Sequence, residues 1–176
     1  LGRGALGRVM AKPIPRLAVL AYALAAVVIV LDQLSKWWVL DGLMLPQRAS
    51  IPFGPIRLTM IWNTGFSFGL MRDGAEMGRW FLAGFSAIVA VMLGRWALKA
   101  ERPLLACAIG LVMGGALGNL IDRVRLAAVA DFIDVGGLLP FFPWVFNVAD
   151  SAITVGVILL LIDTVRTERK ANAAKR

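Results

Sequence analysis

The chain has 176 residues, 59% of them hydrophobic, with a formal net charge of +8, no histidine and one cysteine. That apolar content, with a mean hydropathy of +0.76, excludes an ordinary soluble domain of this length. The missing histidine and the single Cys107 exclude Ser-His-Asp and Cys-His nucleophiles and the usual zinc ligand sets. Any catalysis therefore falls to aspartates.

In chain order, four apolar stretches stand out at residues 17–40, 80–98, 104–123 and 144–163, each near the ~20 residues that a bilayer-spanning helix needs. They predict a single integral membrane domain over 1–176, an all-α bundle of four transmembrane helices. Residues 1–9 lack an initiator and read as a vector remnant or an alternative upstream start. The basic lead into 17–31 could suit a secretory signal peptide. Asp32 and Lys36 follow at once, however, and the apolar character resumes at Trp37, which fits an uncleaved first helix better.

Twelve of the nineteen Lys and Arg residues lie before the first span, between the second and third, and after the fourth. The positive-inside rule then puts both termini in the cytoplasm and the segments 41–79 and 124–143 outside. The basic residues form no stripe with interleaved aromatics, so nucleic-acid binding is not implied. Within the first outer segment, Ile56, Leu58, Met60 and Trp62 alternate with Arg57, Thr59 and Ile61. That period of two predicts a small outward-facing β-sheet, with Phe66, Phe68 and Leu70 as a continuation and 71–78 as a polar turn. The third span opens on Pro103 and carries Gly110, Gly114 and Gly118 at intervals of four, a stripe for close helix packing. Cys107 reads as a buried small hydrophobe, and the tail 166–176 as a polar tract.

Charge near hydrocarbon is expensive unless paired or wetted, so Asp32, Asn119, Asp122, Asp131, Asn147 and Asp150 are candidate functional residues. Asp32 and Lys36 stand at i and i+4 in the favourable order for a helical ion pair, and Asn147 and Asp150 share a helical face. Asp122 and Arg123 are adjacent and must each find a partner elsewhere. Two carboxylates in a poorly hydrated site share a proton and divide into a base and an acid, a division suited to peptide hydrolysis. Spacing leaves the pair open among Asp122, Asp131, Asp134 and Asp150.

Five blocks narrow the choice. Asp32-Gln33-Leu34-Ser35-Lys36, Asn63-Thr64-Gly65-Phe66-Ser67-Phe68-Gly69, Gly114 through Arg123, Val129-Ala130-Asp131-Phe132-Ile133-Asp134 and Phe146-Asn147-Val148-Ala149-Asp150-Ser151 resemble, in order, the five motifs of the lipoprotein signal peptidase (signal peptidase II) family. The resemblance implies an intramembrane aspartyl endopeptidase that removes the signal peptide of diacylglyceryl-modified prolipoproteins just before the lipidated cysteine. It implies Asp131 and Asp150 as the catalytic dyad, with Asp122 the next candidate, and Asn63, Asn119, Arg123 and Asn147 as residues lining the site. Asp32 and Lys36 match the first-helix motif, and Gly65 and Ala149 fall in the same blocks as supporting positions. No metal or organic cofactor is implied. The implied partners are lipidated prolipoproteins and membrane lipid, acting on a monomer in the bacterial inner membrane with the site near its outer face. Phe66 and Ser67 depart from the small residues usual in the family. The rival class, a small transporter, predicts charges spread through the depth of the membrane, whereas Lys36, Arg123, Asp131 and Asp150 all fall toward the outer side.

Overall fold

The computed structural model describes residues 14–47, 49–65, 72–139 and 141–174. Helix α1 (Arg16–Trp37) passes into a π-helical turn at Trp38–Gly42, and strands β1 (Ser50–Phe53) and β2 (Ile56–Asn63) follow. Next come α2 (Arg72–Ala97), α3 (Pro103–Leu126), β3 (Val129–Asp134), β4 (Val145–Phe146) and α4 (Val148–Ala173). Four helices are long and apolar enough to cross a bilayer, and the four strands form one antiparallel sheet in the order β1-β2-β3-β4.

Helix α3 is the hub of the bundle, with 67% of its most apolar stretch buried against 17% for α2. Its glycines explain why. A Cβ at Gly110 would lie 2.6 Å from the Ala21 carbonyl oxygen and one at Gly114 2.8 Å from that of Ala25, so α1 approaches along the predicted stripe. A Cβ at Gly115 would overlap the Ala149 carbonyl, so α4 approaches along the neighbouring row. Lipid tails are as apolar as leucine, and close backbone contact is what holds such helices together. Helix α2 instead turns Phe81, Phe85, Ile88, Val91 and Met92 outward. Its link to α1 includes the Tyr22 hydroxyl, which donates to the Gly94 carbonyl at 2.8 Å.

The sheet has a core of its own, formed by Val39, Leu45, Leu58, Met60, Ala130 and Phe132. Because side chains alternate along β3, burying Ala130 and Phe132 in that core turns Asp131 to the other face, toward the helix ends. Between β2 and β3 the register shifts in the stretch from Leu58 to Ile61, a bulge of the kind that re-aims side chains near functional sites.

Three expectations need correction. The sheet is not confined to the first outer segment, since β3 and β4 come from the second. The stretch expected as a polar turn at 71–78 is helical from Arg72 onward. The fourth helix starts at Val148, after a short strand, because Asn147 caps it there. Asp131 lies in β3. The continuation proposed at Phe66, Phe68 and Leu70 falls outside the described residues.

Candidate active site

The site is assembled where the C-terminal ends of α1 and α3 and the N-terminal end of α4 meet β2 and β3. Asn147 is its junction. As N-cap of α4, its Oδ1 accepts the Asp150 N–H at 2.9 Å, while Asp150 Oδ2 accepts the Asn147 N–H at 3.3 Å. This reciprocal box satisfies two main-chain donors at the helix start and fixes Asp150 in the first turn. The same Asn147 donates through Nδ2 to Asp131 Oδ1 at 2.6 Å and to Asn119 Oδ1 at 3.2 Å. Asn119 in turn donates to Asp150 Oδ1 at 2.8 Å. Asp131 and Asp150 are thus two bonds apart in one amide-bridged network.

Asn63, at the end of β2, completes the cradle of Asp131 by donating to its Oδ2 at 2.9 Å, and its own Oδ1 accepts the Gly65 N–H at 2.9 Å. Gly65 has φ +86, and a Cβ there would run into Leu82. The tight turn that aims Asn63 therefore needs glycine. Asp131 is 2% exposed. Burial pushes its carboxyl up to about 6; the donors Asn63 and Asn147 oppose the shift, and the nearby Asp150 charge reinforces it.

Behind this pair lies a second cluster. Lys36 Nζ is 2.8 Å from Asp32 Oδ2, 2.8 Å from Asp122 Oδ2 and 3.2 Å from Asn119 Oδ1. Gln33 Nε2 donates to Asp122 Oδ1 at 2.9 Å and to Asp32 Oδ2 at 3.2 Å. Gln33 escaped the sequence reading. The available signal was its position three residues before Lys36, on the same helical face. Arg123 leaves α3 beside the dyad, donates through Nη1 to the Asn119 carbonyl at 3.2 Å, and has a buried Nε with no hydrogen-bond partner among the described residues. Ala149, fully buried, packs where α3 carries Gly115 and Gly118.

Every named site residue therefore converges on one end of the bundle. Asp134 does not. It accepts from Thr59 and from the Gly136 N–H at 2.8 Å each, and those donors hold its carboxyl below the usual range as a turn cap on the sheet. Two hollows reach the pair. A cavity of about 330 Å³ is lined by Trp62, Asn63, Gly65, Asp131 and Trp144 among others. An apolar groove of about 290 Å³ brings Phe142, Phe146, Thr154 and Val155 beside Asp150. Among the described residues, no group of three or more His, Cys, Asp or Glu side chains is placed to hold a metal ion.

A family model described as signal peptidase (SPase) II matches residues 24–166, which hold all the site residues above. The chain belongs to the signal peptidase II family. Its relatives agree: a lipoprotein signal peptidase of Caulobacter vibrioides is 58% identical over 151 residues, covering 85% of this chain and 88% of that one. Another, from a Methylobacterium species, is 42% identical over 162 residues, covering 90% and 96%. Among solved structures, a bacterial membrane enzyme determined by the in meso method at 1.9 Å resolution superimposes with a TM-score of 0.69 at 30% identity, covering 82% of this chain and 91% of that one. As a signal peptidase II, the chain is an aspartic peptidase.

Proposed function

We propose that this protein cleaves the signal peptide from diacylglyceryl-modified prolipoproteins just before the lipidated cysteine, using Asp131 and Asp150 as its dyad. The observation that carries the reading is the Asn147 bridge, which joins a buried carboxyl lining one hollow, Asp131, to a partly exposed carboxyl lining another, Asp150.

Asp131, the more buried, holds the proton, and substrate covering the cavity strengthens that hold by removing water. Asp150, steadied by the Asn119 amide and the Asn147 N–H, takes a proton from a water molecule. The hydroxide formed adds to the scissile carbonyl carbon as Asp131 passes its proton to the carbonyl oxygen. Return of a proton to the amide nitrogen breaks the C–N bond and releases the two peptides. The unpartnered Arg123 Nε and the Asn63 amide are donors available to substrate carbonyls. Asp32, Lys36, Asp122, Asn119, Asn147, Gly65 and Ala149 support the site without touching the scissile bond.

The substrate already resides in the bilayer, so it enters sideways near the outer interface, with the sheet as a clamp. Both termini lie in the cytoplasm and the site faces outward in the bacterial inner membrane. The enzyme acts as a monomer, as one domain, without a cofactor. The test is hydrolysis of a lipidated prolipoprotein peptide by wild type, Asp131→Asn and Asp150→Asn. Loss in both supports the dyad, whereas cleavage retained by either rejects it. Ion flux without cleavage would favour a transporter.

A further inference from the structure

Each dyad aspartate is preceded by an alanine whose main-chain N–H is held by a carboxylate from outside the dyad. Asp122 Oδ2 accepts the Ala130 N–H at 3.1 Å, and Asp32 Oδ1 accepts the Ala149 N–H at 2.9 Å. The two acceptors sit on different helices, and Lys36, 2.8 Å from each, joins them. With Gln33 filling the remaining positions, every oxygen of Asp32 and Asp122 has a partner within the chain. Neither residue lines the cavity at Asp131 or the groove at Asp150, and their exposures are 0% and 1%. They are therefore placed to act on the backbone and not on substrate. Helix α3 is shaped to admit them, since a Cβ at Gly118 would come 2.6 Å from Asp32 Oδ2.

We propose that Asp32, Lys36 and Asp122 are positioning residues that form one clamp, fixing β3 and α4 so that Asp131 and Asp150 face each other at a set separation. The clamp rests on the dyad reading above. Strand β3 leaves α3 through Ala127, a non-glycine residue in the left-handed region at φ 64, and α4 begins at a cap. A strand end and a helix start have no regular ladder in common, and ordering them to within a fraction of an ångström needs a separate tie. Charge-assisted bonds in a dry site supply a stiff one. Because one ammonium serves both carboxylates, a change at either end reaches both aspartates.

The test compares kcat, KM and pH profiles for cleavage of a lipidated prolipoprotein peptide by wild type, Asp122→Asn, Asp122→Ala and Asp32→Asn, with Asp131→Asn as control and thermal melting as a check on folding. The charged groups around the dyad are Lys36 and Asp32 of α1 and Asp122 and Arg123 of α3. Both Asn variants lower kcat by about 10- to 100-fold, the range seen when supporting partners of a site are removed, with KM changed less than about threefold. Asp122→Asn keeps an acceptor for the Ala130 N–H and so retains more activity than Asp122→Ala. Losing one counter-charge leaves Lys36 with a field that favours ionised carboxylates, so the limbs of the kcat profile move to lower pH. Should the Asn variants fail to fold, Gln33→Met, which removes a neutral donor from the clamp, carries the test with a smaller fall in kcat and unchanged KM. Wild-type kcat and pH limbs in variants that only melt earlier would overturn the clamp, as would a raised KM at unchanged kcat. Cleavage by Asp131→Asn would instead overturn the dyad itself, a result separable from any outcome at the clamp.

Discussion

The two ends of α3 treat charge in opposite ways. At its N-terminal end, Arg102 grips Asp163 with Nη2 to Oδ2 at 2.6 Å and Nε to Oδ1 at 3.0 Å, a bidentate pair in which each partner neutralises the other. At its C-terminal end, among the described residues, Asp32, Asp122, Asp131 and Asp150 face Lys36 and Arg123. Balanced charge makes an anchor, whereas surplus carboxylate in a dry place makes a proton harder to lose, and a carboxyl able to donate one is what a peptidase of this type needs. The difference is not one of composition, since both ends use Asp with a basic residue. It lies in the count and in the burial.

The largest expected effect removes the surplus. Replacing Asp131 or Asp150 with Asn should reduce the cleavage rate by at least about 10²- to 10⁴-fold, the span attributable to general acid–base catalysis, as measured with a lipidated peptide. Lys36→Met comes next. It leaves two buried carboxylates without their cation, and breaking such a pair costs about 3–5 kcal/mol, to be seen as a large drop in melting temperature in detergent.

A subtler consequence is that the carboxylate-rich end is a liability for the fold. Asp131 binds its proton more tightly when folded, up to about 6 from an ordinary value of 3.8. The folded state therefore gains from this group at low pH and loses that gain as pH rises through the interval between the two values. Relative to Asp131→Asn, wild type should lose about 2 kcal/mol of stability between about pH 4.5 and 7.5. Melting curves of both proteins at several pH values check this, and parallel curves would mean that Asp131 is not held protonated. The smallest effect is expected at the opposite end, where Arg102→Gln should leave cleavage within about twofold of wild type, because Arg102 is 45% exposed and remote from Asp131 and Asp150. A larger loss of activity would erase the contrast between the two ends.

Much of this arrangement was legible in the sequence. Alternation from Ile56 to Trp62 predicts β2, the glycine stripe predicts which face of α3 meets a neighbour, and Asp32 and Lys36 predict their own pairing. Each of these is a local regularity, readable because side-chain direction repeats with a period of two or 3.6. The division among the aspartates was legible only through resemblance to a family. Asp131 and Asp134 lie three residues apart in one block, yet the strand sends one to the helix ends and the other to a turn. Gln33 stayed unseen because its partner Asp122 is 89 residues away in sequence.

Apolar length by itself determined four helices able to cross a membrane, since the energy of a residue in lipid depends chiefly on its own chemistry. Five ordered blocks determined the family. What only the tertiary structure decided is which donor reaches which carboxylate: that Asn147 bridges Asp131 and Asp150, and that Asp32 and Asp122 hold the two preceding amides. Those bonds join segments distant along the chain, and their geometry follows from how closely α3 lets α1 and α4 approach.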